Sequence, residues 1–320
     1  MKRLKLLICI ALATLIVPIS AETTHDFRGD EGPFEDFRPH AALWLSENRI
    51  LVAEQHLNNL QLFDTDARRF RHFDAATNKG PAEWVGMAQL GENDFLILAS
   101  HYHEKNHPRY RKLRSRMHRF HFNLEKEELH LDDFKKNISP QEPLRMTRMW
   151  GSTPLRQLQF AGFGVNKAKD IAWFGLAMPD SEKGNLSLLR CSLKKLLAED
   201  ESLEFTEVDT GLKIPLEKRC QRPMYLTDLE VLDDGSLLFL LTADDLEGKR
   251  FCTSSLWHWA PGRKAKMVKE DLAPENRATG MAVRHLGKGR YEIALVCDNV
   301  TYKTEIPSRL VILSEALKLH

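Results

Sequence analysis

The amino-acid sequence predicts an all-β fold, a single β-propeller of about six blades. Four segments repeat one plan: a small or turn-forming residue and an apolar stretch precede a polar turn and a second apolar run. They start at residues 42, 86, 228 and 280. The second runs are four to six residues long and are bounded by Gly, Asp, Asn or Ser. This pattern is typical of short strands joined by tight turns.

The spacing of the repeats indicates the number of blades. A partial fifth copy at Gly175-Leu176-Ala177 follows the copy at residue 86 by 89 residues, whereas the other spacings are 44 to 53 residues. We therefore expect a degenerate copy near residue 130 and six units in all. Such a period, with several strands per unit, is typical of propeller blades. Another all-β fold with regular turns and an α/β fold are the alternatives.

Residues 1–21 have the order of a secretory signal peptide. Basic residues at positions 2, 3 and 5 precede an uncharged, mostly apolar stretch from Leu6 to Ala21. This stretch is 16 residues long, shorter than the roughly 20 residues that a membrane-spanning helix needs. We expect cleavage after Ala21, a periplasmic or secreted protein, and no membrane span after cleavage. An uncleaved anchor is the alternative.

The rest of the chain, residues 22–320, is expected to form one propeller domain. No linker rich in Pro, Gly or Ser divides it, and only Leu193 to Asp200 is predicted to be helical. The whole chain has 46 Lys and Arg against 45 Asp and Glu, and removal of the leader leaves 43 against 45, a net charge of −2. General nucleic-acid binders are usually strongly basic, so we expect no nucleic-acid partner.

Four cysteines follow the leader: Cys191, Cys220, Cys252 and Cys297. In an exported chain, an even number permits up to two disulfides in three possible connectivities. Four buried thiols are the alternative. The sequence has no Cys-x-x-Cys pair, which argues against a zinc site or a thioredoxin-type site.

The basic segment, residues 100–122, carries the densest group of chemically active side chains. It contains seven Lys and Arg against Glu104 alone, and five of the 13 histidines. Arginine presents forked donors that suit phosphate or carboxylate. The segment therefore predicts an anion site; a solvated basic loop is the alternative. The candidate binding residues are Ser100, His101, His103, Arg109, Arg111 and Arg114.

A divalent metal is conceivable as a cofactor, although no motif supports one. His101 and His103 would face the same side of a strand. A third ligand would have to come from Glu54, Asp244 or Asp298, which lie near the ends of predicted strands in other blades. Symmetry of the blades would bring those ends toward the mouth of the channel.

Two segments, AEWVGMAQL and AWFGLAMP, together with Ser100-His101 and the following Arg114, resemble a known family. This is a bacterial β-propeller family of unknown function that is related to the esterase-like phytase group. The resemblance extends over most of residues 35–315. It implies the propeller fold and, as an alternative function, an esterase-like or phytase-like hydrolase.

The chain departs from the family at the blade openings. In the family, an acidic residue often directly precedes the Gly-Leu-Ala-like step. Here Val85 and Phe174 occupy that position, and Glu83 lies two residues earlier. If the acidic residues form the family's site, part of that site is missing here.

Three functions are therefore open, and whether the protein is an enzyme is undecided. The first is an exported propeller that binds a small anionic ligand or a protein partner. The second is a metal-dependent hydrolase of phosphate or carboxylic esters. It would use a metal-bound water as nucleophile, because the sequence has no nucleophile elbow, Walker loop or dinucleotide motif. The third is a protein-interaction scaffold.

Overall fold

The computed structural model describes eleven stretches of the chain: residues 22–29, 32–33, 37–55, 59–74, 83–100, 116–137, 159–177, 184–198, 203–245, 250–300 and 306–319. The strands in these stretches form antiparallel sheets arranged as the blades of a propeller. The all-β class and the propeller arrangement are thus confirmed. No helix in the described stretches is long and apolar enough to cross a membrane.

The strands follow one order in each blade, from the innermost first strand to the outermost fourth. Before the first blade lie β1 (Thr23–Asp26) and a short hairpin of β2 (Arg28–Gly29) and β3 (Gly32–Pro33). Blade 1 consists of β4 (Pro39–Ser46), β5 (Arg49–Glu54), β6 (Asn59–Asp64) and β7 (Arg69–Asp74). Blade 2 consists of β8 (Trp84–Gln89), β9 (Asp94–Ala99), β10 (Arg116–Asn123) and β11 (Glu128–Asn137).

The other three blades repeat this plan. Blade 3 consists of β12 (Phe160–Asn166), β13 (Ile171–Leu176), β14 (Asn185–Ser192) and β15 (Thr206–Lys213). Blade 4 consists of β16 (Tyr225–Val231), β17 (Leu237–Asp245), β18 (Arg250–Trp259) and β19 (Lys266–Leu272). Blade 5 consists of β20 (Ala278–Gly287), β21 (Arg290–Cys297) and β22 (Arg309–Ile312), with β1 as its fourth strand and β23 (Leu317–Lys318) paired to β21.

The prediction of about six blades is wrong, because the described strands form five. Neighbouring first strands follow the order β4, β8, β12, β16 and β20, and β20 packs against β4, so five blades close the ring. The copy expected near residue 130 is β11, the outer strand of blade 2. The gap in the repeats is long because 16 residues separate β9 from β10 and 22 separate β11 from β12.

The hydrophobic core is divided into five clusters, one between each pair of neighbouring blades. Strand β5 shows how one strand serves two clusters. Leu51 and Ala53 pack toward blade 2, whereas Ile50 and Val52 pack toward blade 5. Successive side chains point to opposite faces of a strand, and both faces are buried here. The second strands are therefore continuous apolar runs.

Two glycines let neighbouring first strands approach closely. At Gly162, whose φ is +85°, a Cβ atom would lie 2.3 Å from the backbone nitrogen of Leu229 in the next blade. At Gly280 a Cβ atom would lie 2.2 Å from the carbonyl oxygen of His40. Only glycine fits where one backbone approaches another this closely.

The ring is closed by the beginning of the described chain. Strand β1 pairs with β22, in register from Thr23 opposite Ile312 to Asp26 opposite Arg309. Arg309 Nε also donates to Asp26 Oδ1 at 2.8 Å. The next residue, Phe27, is fully buried. Two distant parts of the chain therefore share blade 5.

The predicted helix is present but short. It is α1 (Leu193–Leu197), and it buries Leu193 and Leu196. The hydroxyl of Ser192 accepts the Lys195 N–H at 3.2 Å and caps the first turn. The helix stops before the predicted Asp200 because the backbone at Ala198 is already extended, with ψ of 128°.

Candidate functional site

The first strand of each blade begins beside the end of the second strand, because these two strands are antiparallel neighbours. All five blades repeat this order around the closed ring, so these strand ends lie on one side of it. We call this side the strand-start face. At the starts of the first strands it carries Arg38, Glu83, Gln159, Tyr225 and Arg277; at the ends of the second strands it carries Glu54, Ser100, Ala177, Asp244 and Asp298.

The positions at the strand starts are structurally equivalent. In four blades the residue that follows the second strand donates its backbone N–H to the carbonyl of the residue before the first strand. These bonds are Gln55 to Arg38 (2.9 Å), Ser100 to Glu83 (2.8 Å), Ala177 to Gln159 (3.0 Å) and Asp298 to Arg277 (3.0 Å). Tyr225 holds the corresponding position in blade 4, two residues before the bulge of its first strand. The face thus carries a ring of five long polar side chains.

Each first strand has a β-bulge two residues beyond this position. The bulged residues are His40, Val85, Ala161 with Gly162, Thr227 and Thr279. A bulge bends a strand and redirects its side chains, and bulges are frequent beside functional sites. The two threonine hydroxyls bond to backbone carbonyls: Thr227 to Leu240 at 3.2 Å and Thr279 to Pro39 at 2.6 Å.

Arg277 organises a cluster of charges between blades 4 and 5. Its guanidinium donates to Asp244 Oδ2, Asp298 Oδ2 and the Tyr225 hydroxyl, each at 3.2 Å. Tyr225 in turn donates its hydroxyl proton to Asp244. Burial raises the pKa of Tyr225 well above its usual range; Arg277 opposes this effect and Asp244 adds to it. Tyr225 therefore stays protonated and acts as a donor.

His40 is a buried, neutral imidazole on the same face. Burial lowers the pKa of His40 to about 3, and the positive charge of Arg277 acts in the same direction. Its Nδ1 atom has no hydrogen-bond partner among the described residues. His40 is therefore uncharged at any physiological pH, and its protonation opposes folding.

The titration of His40 predicts that acid destabilises the protein. The pKa is near 6.5 in the unfolded chain and about 3 when folded. A lowered pKa contributes stability above the unfolded value that is lost as the pH falls toward the folded one. Between pH 7 and pH 5, His40 should account for a loss of about 2 kcal/mol in unfolding free energy. Urea denaturation at both pH values measures it.

Two variants separate His40 from the other titrating groups. His40→Gln should remove most of this loss, whereas His130→Gln, at an exposed position in β11, should keep it. Burial raises the pKa values of Asp228 and Glu230. Their contribution to the free energy of unfolding therefore decreases as the pH rises, whereas that of His40 increases. Both variants retain these carboxyl groups. Equal losses in the two variants would contradict the assignment.

Ser100 is the one predicted anion-binding residue within the described stretches. It is buried, and its hydroxyl donates to Glu83 Oε2 at 2.8 Å. Its carbonyl accepts the Phe160 N–H at 2.8 Å, which ties blade 2 to blade 3. The other candidates lie outside the described residues; they are His101, His103, Arg109, Arg111 and Arg114.

The three acidic metal candidates all lie on the strand-start face. Glu54 ends β5 and is fully buried. Asp244 and Asp298 share Arg277, so a guanidinium lies between their carboxylates. In the described stretches, only Glu217, Cys220 and Cys252 bring three potential ligand atoms within 4.8 Å of one another. Glu54, Asp244 and Asp298 thus do not form such a group with one another.

The cysteines fall into two kinds. Cys220 and Cys252 form a disulfide, with their Cα atoms 6.2 Å apart. Cys191 and Cys297 are buried free thiols. Burial raises the pKa of the Cys297 thiol well above its usual range. This thiol is therefore a core residue rather than a nucleophile.

Six residues of the site are absent from the sequence-based candidates: Arg38, His40, Glu83, Gln159, Tyr225 and Arg277. An alignment of the repeats on Gly86 and Gly280 could have found Arg277, because it and Glu83 both lie three residues before these glycines. Blades 1 and 4 have no glycine at that point, so Arg38 and Tyr225 carry no such signal.

No family model and no curated protein matches the chain. Similar solved structures include a luciferin-regenerating enzyme (6% identity, covering 93% of this chain and 98% of that chain, TM-score 0.44). They also include the allergen Mala s 1 of Malassezia sympodialis (10%, 86% and 92%, TM-score 0.49) and a putative oxidoreductase (glucose dehydrogenase) of Thermus thermophilus (11%, 91% and 99%, TM-score 0.44). Each of these TM-scores is below 0.5, and no property of these proteins is transferred to this chain.

Proposed function

We propose that this protein is exported and that its strand-start face binds a small anion, such as a phosphate or a carboxylate. Arg38 carries the proposal. Its Nε atom is buried and has no hydrogen-bond partner among the described residues. A buried donor without an acceptor costs free energy, and an anionic ligand would supply the acceptor.

The distribution of charge on this face singles out Arg38. Arg277, at the equivalent position of blade 5, is held by two carboxylates and a tyrosine hydroxyl. Arg277 is therefore a structural cation, whereas the Nε donor of Arg38 has no acceptor among the described residues. Planar guanidinium groups bind phosphate and carboxylate through paired donors.

The basic segment supports the same proposal. It leaves the described part of the chain at Ser100, which lies on the strand-start face. Residues 101–115 carry five Lys and Arg against one Glu. We propose that Arg109, Arg111 and Arg114 add positive charge around a ligand bound at Arg38.

Export rests on the leader, residues 1–21, and N-terminal sequencing of the protein recovered from outside the cytoplasm tests it.

Calorimetric titration of the purified protein with inorganic phosphate, sulfate and acetate tests ligand binding. We expect saturable binding of at least one of these anions, and weaker binding at high salt. Arg38→Ala and Arg114→Ala should each weaken binding by about tenfold or more, the loss expected for a charge-assisted hydrogen bond. Arg38→Lys should restore part of the loss at that position.

Arg290→Ala is the matched control. Arg290 is exposed and is the first residue of β21, at the opposite end of the blade. Its removal changes the net charge by the same amount but should leave the affinity unchanged. Binding that resists both Arg38→Ala and Arg114→Ala, or that Arg290→Ala weakens equally, would overturn the proposal.

A further inference from the structure

A short loop on the outside of blade 4 carries one of the two cysteines of the disulfide. This cysteine loop, residues 214–224, connects β15 to β16 and folds back on itself. Leu216 pairs with Pro223 as an isolated β-bridge. The Glu217 N–H donates to the Arg222 carbonyl at 2.8 Å, and the Met224 N–H donates to the Pro215 carbonyl at 3.0 Å.

Three potential metal ligands meet where this loop contacts β18. The carboxylate of Glu217 and the sulfur atoms of Cys220 and Cys252 lie within 4.8 Å of one another. Glu217 and Cys252 are buried, and Cys220 is half-buried. Two thiolates and a carboxylate are a ligand set that zinc accepts, with a fourth position left for water.

Glu217 is already oriented as a ligand. Its Oε1 accepts the Thr253 hydroxyl at 3.1 Å. Its Oε2 accepts the backbone N–H groups of Arg219 at 2.8 Å and Cys220 at 2.6 Å. Hydrogen bonds of this kind fix ligating carboxylates in metal sites and contribute to affinity.

The loop does not depend on the disulfide alone for its position. The Lys218 ammonium lies 2.8 Å from Glu270, and Arg219 lies 3.7 Å from Asp271, so two ion pairs tie the loop to β19. These ion pairs and the hairpin bonds do not involve the sulfur atoms, so opening of the disulfide does not remove them. A cleft of about 170 Å³ beside the loop is lined by Glu217 and Thr253, among other residues.

We propose that the reduced protein binds one Zn²⁺ ion through Glu217, Cys220 and Cys252. A dithiol reductant transfers two electrons and two protons to the disulfide and is itself oxidised to a disulfide. The ion then displaces the two thiol protons and binds the thiolates. In the reverse direction a small-molecule disulfide takes two electrons from the thiolates and two protons from water and leaves as two thiols, while the protein disulfide re-forms and the ion is released. The site therefore holds either a disulfide or a metal.

Cobalt titration of the full chain tests this proposal. The protein is reduced with a phosphine, desalted without oxygen and titrated with Co²⁺, which gives visible bands in a tetrahedral site and a near-ultraviolet band when thiolates bind it. We expect both signals to saturate at one equivalent and to disappear when Zn²⁺ is added. The oxidised protein should give neither.

Three variants identify the ligands. Cys252→Ser should abolish the thiolate band, and Glu217→Gln should weaken Co²⁺ binding by about tenfold or more. Cys191→Ser removes a buried thiol in another blade and should leave the titration unchanged. Circular dichroism shows whether each variant is folded. Absence of a cobalt spectrum in folded, reduced protein, or an unchanged titration of Cys252→Ser, would overturn the proposal.

Discussion

Replacement of Arg277 by alanine is expected to lower the free energy of unfolding by about 3–5 kcal/mol, the usual cost of removing one partner of a buried ion pair. The side chain of Asp298 is fully buried, that of Asp244 is 8% exposed and that of Arg277 is 16% exposed. Without the guanidinium, two carboxylates would lie close together in a poorly solvated site. For a chain of this size the melting temperature should fall by roughly 10 °C, which differential scanning calorimetry measures.

Two further variants test the cause of this loss. Arg277→Ala combined with Asp298→Asn removes one of the stranded charges and should be more stable than Arg277→Ala alone. Arg219→Ala removes an arginine from an exposed pair with Asp271 and should cost less than about 1 kcal/mol. If Arg277→Ala were as mild as Arg219→Ala, the cluster would not stabilise the face.

Replacement of Phe27 by alanine should cost about 3–5 kcal/mol, the range observed for large aromatic side chains in a core. The ring of Phe27 is fully buried and lies 4.7 Å from the rings of both Phe37 and Phe70. Phe27 directly follows β1 and anchors this strand to the rest of the protein. Its loss should therefore act on the closure of the ring as well as on the core.

Hydrogen exchange distinguishes these two effects. In Phe27→Ala, the backbone amides of β22 should exchange faster than those of the first strands, because β22 loses its partner β1 most readily. Thr24→Ala, at an exposed position within β1, should change the free energy of unfolding by less than about 0.5 kcal/mol. Uniform acceleration in all blades would show that Phe27 stabilises only the core.

The sequence was most informative where both faces of a strand are buried. The apolar runs in β9, β17 and β21 stand out because each packs against two neighbouring blades. The number of blades was predicted wrongly because the repeat period was assumed to be uniform. The connections within and after blade 2 are long. In the sequence, long connections cannot be distinguished from an additional, degenerate blade unless the pairing of the strands is known.

The site was harder to predict than the fold. Asp244 and Asp298 were correctly placed near the ends of strands, but the sequence gives no sign that Arg277 joins them. The contact with Asp244 depends on the packing of blade 4 against blade 5, and the contact with Asp298 depends on the pairing of β20 with β21; they join residues 33 and 21 positions apart. The sequence analysis noted Glu83 only as an acidic residue two positions before the one that is acidic in the related family. The bulge at Val85, which marks the position of Glu83 at the strand start, is not visible in the sequence.

The closure of the ring has a consequence for how the protein is made. Asp26 meets Arg309, its partner 283 positions further on, only after β22 has been synthesised. Until then, blade 1 keeps one apolar flank, including Val52 and Trp44, open to solvent. A chain that terminates early would present this flank and an unpaired strand edge, features that promote aggregation. Synthesis of β20 to β22 and burial of that surface thus coincide, and a protease or chaperone that recognises exposed apolar strands would remove copies that lack these strands selectively.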